Sequence, residues 1–483
     1  MAAVSAWLAA QADAVIQTHI GQVFLIGEHA FKLKKAVNFG YLDFSTCEQR
    51  AWAIGRELEL NGRTAPDIYQ AAPWVTRQDG RLALDGPGER LEAVLRMRRF
   101  DPEAVLSNQP DIVRGDFAET LGRDIARFHA GAQVQPGAGL GYVINSNAEH
   151  LRVLAADLGA EAVNDLIGRT DVEFGRLRPM LDARAAAGQT RDCHGDLHLG
   201  NILAEGGRAT PFDCIEFNDA LSRIDVLYDL AFLLMDLIHR GQDAGANRVL
   251  NGYLDEAART FGQAPFEGLA ALPLFLSVRA GVRTHVSAHM GQMDEARAYL
   301  AAALRHLEPG GASLTAVGGL SGSGKSTFAR ALAPALGAPP GAVVLRSDEI
   351  RKRLWGRAPT ERLPEEAYAA GQSERVYGRM LREAGLALTA GRAVVLDAVF
   401  LRPEERQAAE DLARRAGVPF DGVWVQASPE VMAARIEARI GDASDADRRV
   451  LDEQLARDPG PITWRCATSH GSAVSTPSTT DRR

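Results

Sequence analysis

Lysine is scarce in this sequence, with five residues among 54 basic positions and arginine at the other 49. Arginine supplies the generic positive charge, so each lysine marks a place where a compact ammonium is wanted, and Lys32, Lys34, Lys35 and Lys325 stand out. The four cysteines, Cys47, Cys193, Cys214 and Cys466, are scattered without C-x-x-C spacing. That excludes a zinc ribbon or disulfide framework and predicts free thiols. There is no basic excess: the net charge is −8, which argues against nucleic acid as a partner. No apolar run approaches the roughly 20 residues of a membrane span, and residues 1–14 lack a basic start followed by a hydrophobic segment. No membrane partner is expected, and the expected location is the cytoplasm. Repeats of 20 to 50 residues are absent as well. At 483 residues, 46% of them apolar, the chain exceeds one typical core, so two or three folding units are expected.

The strongest motif runs over residues 319–327, Gly-Leu-Ser-Gly-Ser-Gly-Lys-Ser-Thr, which satisfies G-x-x-x-x-G-K-[ST]. Residues 314–317 read as a buried strand before it and 328–336 as a helix after it. Gly319, Gly322 and Gly324 let backbone N–H groups turn inward around phosphate oxygens at a helix N-terminus. Lys325 is expected on the β and γ phosphates, Ser326 on Mg²⁺, and Thr327 beside them in the ATP site.

More than 300 residues precede that loop. Residues 2–17 have helical spacing, 23–26 and 30–33 read as strands, and 45–61 as a helix carrying Glu48, Glu57 and Glu59. Alternation along the second strand puts Lys32 and Lys34 on one face. Further strands are expected at 68–75, 81–84 and 91–97, then helices at 117–130, 224–238, 247–261 and 272–289. The turn-rich run 308–311 marks a boundary, and the Ser/Thr-rich stretch from about residue 470 reads as disordered.

Within the first part, His194-x-Asp196 with Asn201 five residues after the aspartate has the spacing of a kinase catalytic loop. An aspartate there accepts the proton of a substrate hydroxyl, and an asparagine one turn later binds Mg²⁺ on the nucleotide. Asp213 follows an apolar step where a second metal ligand belongs. Lys32 is expected on the α and β phosphates, held by a glutamate of the 45–61 helix: Glu57 first, with Glu48 and Glu59 as alternatives. His198 is read as packing or bonding backbone, Asp225 and Asp229 as local ion-pair or capping residues, and Cys193 and Cys214 as small apolar packers.

The run His194-Gly-Asp196-Leu-His198-Leu-Gly-Asn201, then Phe212-Asp213 and Asp225-Val-Leu-Tyr-Asp229-Leu-Ala, resembles the aminoglycoside phosphotransferase family, distant relatives of protein kinases. The resemblance implies Asp196 as general base, Asn201 and Asp213 as Mg²⁺ ligands, Lys32 on nucleotide phosphate and residues 95–100 as the hinge meeting adenine. A G-x-G-x-x-G loop is missing; only isolated Gly21 and Gly27 stand near the start. Arg279 and Arg283, on one face of a later helix, point toward an anionic or neutral acceptor rather than a cationic aminoglycoside.

After the phosphate loop, residues 342–345 deliver Asp348 and residues 393–396 deliver Asp397 to strand ends, where nucleotide and acceptor meet in a parallel sheet. Asp397 is read as the Mg²⁺-water ligand and Asp348 as a general base. A later helix carries Arg435 and Arg439, a candidate lid. Residues 313–462 resemble the small P-loop kinases, among them gluconate kinase, chloramphenicol phosphotransferase, polynucleotide kinase and zeta-toxin-like proteins. Fused in this order, the halves resemble the bacterial bifunctional aminoglycoside phosphotransferase/ATP-binding proteins.

The expected fold is an α+β protein-kinase-like two-lobe domain (1–305), a linker (306–312), an α/β P-loop NTPase domain with a mostly parallel sheet (313–462) and a disordered tail (463–483). The expected function is ATP- and Mg²⁺-dependent phosphoryl transfer to hydroxyls of small molecules at two sites, without an obligate protein partner. The alternative makes one domain an ATP-sensing or ligand-binding regulator of the other.

Overall fold

The computed structural model describes every residue except 39–41, 137, 138, 440, 471, 472 and 476–483. By compactness the chain divides into two units: Met1–Ile112, Gly131–Val153 and Leu181–Asp236 form one, and Val113–Ala130, Leu154–Met180 and Leu237–Arg483 form the other.

In the first unit, a five-stranded antiparallel sheet runs in the spatial order Ala14–Gln17, Gly21–Ile26, His29–Lys34, Leu95–Arg98 and Tyr69–Ala71. Helix Cys47–Asn61 starts at a capping box, in which Thr46 Oγ1 accepts from Gln49 N while the Gln49 side chain accepts from Thr46 N. Its Ile54 packs on Ala30, Leu95 and Met97 of the sheet. Residues 2–17 are not one helix: Ala2–Ala9 is helical, and Ala14–Gln17 is a strand because β-branched Val15 and Ile16 pair in register with Phe24 and Val23. The strand expected over 68–75 breaks into Tyr69–Ala71 and Trp74–Gln78 around Pro73, which has no N–H to give a ladder. The expected helix 224–238 begins only at Val226, since Arg223–Asp225 pairs as a strand with Thr190–Asp192.

In the second unit, five strands are mutually parallel in the spatial order Val343–Arg346, Val394–Asp397, Leu314–Gly318, Phe420–Gln426 and Arg465–His470. Ala473–Ser475 adds an antiparallel edge. The disordered tail expected over 463–483 is therefore corrected for residues 465–470, of which Arg465 to Thr468 pair with Val423 to Gln426 and Thr468 to His470 with the edge strand; residues 476–483 lie outside the described residues. Val317, Val395, Val423 and Val425 make the sheet's core with Phe328 of the helix behind the loop. Helices Gly115–Gly131 and Asp243–Phe261 belong to the same unit and touch at backbone level. A Cβ on Gly122 would overlap the Val249 carbonyl, and one on Gly252 the Glu119 carbonyl. The stretch Ala264–His289 is long and apolar enough to cross a membrane by composition, but 78% of its apolar window is buried within the protein, as in a core helix.

Candidate active sites

In the first unit, Lys32 and Lys34 leave the same face of their strand and meet Glu57 from the helix packed against it. Lys32 Nζ lies 2.6 Å from Glu57 Oε1 and 2.8 Å from Asp213 Oδ1. Of the three glutamates weighed on that helix, Glu57 is buried and holds the lysines, whereas Glu48 is exposed and Glu59 pairs with Arg56. Burial would lower the Lys32 ammonium, yet Asp213 and Glu57 outweigh it and hold its pKa well above the usual lysine range. Conversely, desolvation pushes the Asp213 carboxyl up and Lys32 pulls it further down, leaving it below the usual carboxylate range.

Asp213 sits in left-handed backbone at φ 63°. Its N–H donates to Tyr69 Oη at 2.9 Å, and Cys214 N donates to Asn61 Oδ1 at 2.8 Å. Asn61 closes the same helix as Glu57 and donates to the Glu57 carbonyl, so one helix end holds both the lysine partner and the aspartate turn. Lys34 bridges Glu57 to Glu216, a second buried ion pair that the sequence reading missed. Its signal was there: a second lysine on the same strand face of a lysine-poor chain.

Asn201 Nδ2 donates to Asp196 Oδ2 at 2.9 Å and to the Asp196 carbonyl at 3.0 Å, fixing the carboxylate on its loop. Desolvation lowers the pKa of buried His194, and its Nε2 lies 2.9 Å from the Phe212 carbonyl, linking the 194–201 loop to the residue before Asp213. Asp229 does more than cap: both its oxygens accept from the 194–201 loop, from His194 N at 3.0 Å and Gly195 N at 2.9 Å. Asp236, two turns on along helix Val226–His239, accepts from Leu199 N at 3.0 Å. His198 Nδ1 accepts from Gly200 N, and its Nε2 stands 3.4 Å from Asp196 Oδ2, so it touches both backbone and the Asp196 carboxylate. Asp225 is a partner of Arg184 at 2.7 and 2.9 Å.

In the second unit, Leu314–Gly318 delivers the phosphate loop, with Gly322 and Gly324 at φ 81° and 95° and helix Lys325–Leu332 following. Lys325 is 8% exposed, Ser326 half-buried and Thr327 exposed. Gly319 N donates to the Val399 carbonyl, next to the strand that ends in Asp397. Arg435, on helix Pro429–Glu437, reaches the loop from outside: Nη1 donates to the Gly322 and Ser323 carbonyls at 3.2 and 3.1 Å. Asp348 is half-buried in the first turn of helix Ser347–Leu354, at the carboxyl end of its strand.

Register places Asp397 beside Val317, just before the loop. Arg346 Nε lies 3.2 Å from Asp397 Oδ2, and the other oxygen, Oδ1, is buried without a hydrogen-bond partner among the described residues. A buried carboxylate oxygen left unmatched fits a cation, with Ser326 as the second donor on the loop. Lys352, the fifth lysine, was also overlooked: wholly buried, it reaches Asp445 at 2.7 Å, and Tyr368 Oη donates to the same aspartate at 2.7 Å.

One expectation falls. Arg279 is buried, and Arg283 lays its guanidinium over the Tyr299 ring at 5.6 Å, so this helix face gives no sign of an acceptor's charge.

Residues 63–266 match the phosphotransferase enzyme family, and residues 314–461 match the AAA domain family. The uncharacterized protein Rv2004c of Mycobacterium tuberculosis is 32% identical over 464 residues, 92% of this chain and 89% of its own length. The adenylyl-sulfate kinase of Myxococcus xanthus is 34% identical over 142 residues, 29% of this chain and 69% of its own. Among solved structures, choline kinase from Cryptosporidium parvum covers 63% of this chain and 94% of its own at 9% identity and TM-score 0.41. The GDP complex of aminoglycoside 2'-phosphotransferase-IIIa covers 63% and 94% at 14% identity and TM-score 0.36. With a relative aligned across both halves, the chain belongs to the family that fuses an aminoglycoside-phosphotransferase-like kinase domain to a C-terminal P-loop AAA-type domain.

Proposed function

We propose that this phosphotransferase carries two separate sites, each moving the γ-phosphoryl group of ATP to a hydroxyl of a small molecule. One observation supports this above the others: each unit holds an aspartate read as the base, a lysine read as meeting phosphate, and a candidate metal carboxylate tied to a buried basic side chain. ATP with Mg²⁺, when bound, supplies the phosphoryl group and the positive charge that neutralises it. In the first site Lys32 would take the phosphates and Asn201 and Asp213 the metal. Asp196, aligned by Asn201, accepts the acceptor's hydroxyl proton. In the second, Lys325 and the loop N–H groups would take the phosphates, Ser326 and Asp397 the metal, and Asp348 the proton. Most of the catalysis is read as positioning and charge neutralisation.

The likeness of the C-terminal part to an adenylyl-sulfate kinase makes adenylyl sulfate the first acceptor to try at the second site. The protein is read as cytoplasmic, acting on soluble metabolites without a membrane, nucleic acid or obligate protein partner. The test is ATP-dependent labelling of a bacterial metabolite extract by wild type, Asp196→Ala and Lys325→Ala, read by mass spectrometry. Each variant is expected to lose a different product, or Lys325→Ala to stop at a singly phosphorylated intermediate. If Lys325→Ala loses ATP hydrolysis and no product, the second site regulates the first and the two-reaction reading is wrong.

A further inference from the structure

Arg346 is a hub. Its guanidinium is buried, with Nε on Asp397 Oδ2 at 3.2 Å, Nη1 on Glu349 Oε1 at 3.1 Å and Nη2 on Asp442 Oδ1 at 3.2 Å. Glu349 is itself shared. Its Oε1 also lies 3.5 Å from Arg123 Nη2 and 3.5 Å from Arg330 Nη2. Arg123 in turn holds Asp255 Oδ2 at 2.5 Å and Glu119 Oε1 at 2.7 Å, while Glu119 Oε2 takes Arg330 and Arg248 at 3.0 Å each. All of these groups lie in the second compact unit. Yet Glu119, Arg123, Arg248 and Asp255 belong to residues 63–266, the phosphotransferase match, and not to 314–461.

The backbone repeats the pattern. Strand Val343–Arg346 is at the edge of its sheet and leaves a row of peptide groups open. Asn251 Oδ1 accepts from Val344 N at 2.7 Å, and Asn247 Nδ2 donates to the carbonyls of Pro340 and Ala342 at 3.0 Å each. Helix Asp243–Phe261 thus closes the edge that ends in Arg346, and its backbone contact with helix Gly115–Gly131 fixes where Glu119 and Arg123 stand.

We infer that Glu119, Arg123 and Asp255 are positioning residues of the P-loop site, setting through Glu349 and Arg346 how strongly Asp397 attracts a divalent cation. This rests on the reading of Asp397 as the metal carboxylate. In a buried network charges are poorly screened, so the share of Arg346 that falls on Asp397 depends on how firmly Glu349 claims the rest. Removing the Glu349 charge turns Arg346 onto Asp397, where it competes with the incoming cation. Removing the Arg123 charge frees Glu349 to draw Arg346 away, and Asp397 attracts the cation more strongly.

The experiment uses the full chain and titrates ADP binding against Mg²⁺ concentration, following the component that Lys325→Ala removes. Glu349→Gln is expected to raise the half-saturating Mg²⁺ and Arg123→Met to lower it, each by roughly fivefold. Arg123→Lys, which keeps the charge, should leave it in place. If Glu349→Gln or Arg123→Met lowers the melting temperature but keeps the wild-type Mg²⁺ dependence, the network is scaffolding and the inference is overturned. Should Arg123→Met fail to fold, Glu349→Gln alone decides in the same way. A wild-type protein with no component removed by Lys325→Ala would overturn the P-loop reading, and this inference with it.

Discussion

Asp213 and Asp397 meet the same problem in the two units and solve it with different cations. Each is a candidate metal carboxylate with a basic side chain beside it: Lys32 for Asp213, and Arg346 for Asp397. On the proposed function Lys32 also meets phosphate, so one side chain would perform two tasks. In the second unit the tasks are divided: Lys325 belongs to the phosphate loop, while Arg346 is shared among three carboxylates. A flexible ammonium suits the double task, and a planar guanidinium with several donors suits the fixed one.

The largest test of that division is Lys32→Met against Lys325→Met. Both should lower transfer at their own site by on the order of 10²–10³-fold, measured on the product each site makes. Only Lys32→Met should also release the metal aspartate, so the Mg²⁺ dependence shifts in the first site and holds in the second. Next in size is Lys34→Met, which strips the buried Glu57 and Glu216 of a shared cation. It should cost about 3–5 kcal/mol in urea unfolding, and Lys34→Met with Glu216→Met should recover most of that. Failure of the double variant to recover would mean the pair is needed for more than charge balance.

Acid separates one carboxylate of each network, Glu216 in the first and Glu119 in the second, by sign. In the second, burial pushes the Glu119 carboxyl up, but Arg330 and Arg123 hold it down at about 2 against 4.5 for the free group. A lowered carboxylate contributes stability above pH 4.5 and loses it as pH falls toward 2, about 3 kcal/mol here, and Glu119→Gln should flatten that part of the curve. In the first, burial dominates and leaves the Glu216 carboxyl raised. Its contribution is complete below pH 4.5 and is lost as pH rises through its folded value, the opposite slope. Unfolding free energy followed from pH 7 to pH 2 in the two Gln variants checks both signs. The smallest effect belongs to Arg465→Ala, which removes an exposed pair with Asp421 and should cost under about 1 kcal/mol, showing that the last parallel strand is held by its ladder.

The phosphate loop was legible because its chemistry is contiguous: glycines, lysine and hydroxyls fall within nine residues, between a strand and a helix that announce themselves. The first site was legible where spacing is short, as at Asp196 and Asn201, and partly where it is long, since Lys32 and Asp213 are 181 positions apart. The partners that hold these residues were the hard part. Asp229 and Asp236 look like any helix acids until the fold shows them gripping loop N–H groups. Glu119 and Arg123 stand at i,i+4 spacing on their helix, and only tertiary packing reveals their link to Glu349. Helices Leu140–Val153 and Ala160–Ala186 were not singled out, because nothing in their composition separates them from the polar runs around them. Pro73 was the kind of signal that should have split the strand and did not.

The five lysines have one more consequence, for the bench. Four of them, Lys32, Lys34, Lys325 and Lys352, are at most 8% exposed, and Lys35 is only partly exposed. An amine-reactive reagent applied to the folded protein therefore meets almost no background, and most acylation should fall on Lys35 and the N-terminus. A nucleotide carrying a reactive acyl phosphate would instead be delivered to Lys32 and Lys325. Those two lysines sit in different tryptic peptides, so a single labelling experiment can report the occupancy of each site separately, without knowing either acceptor.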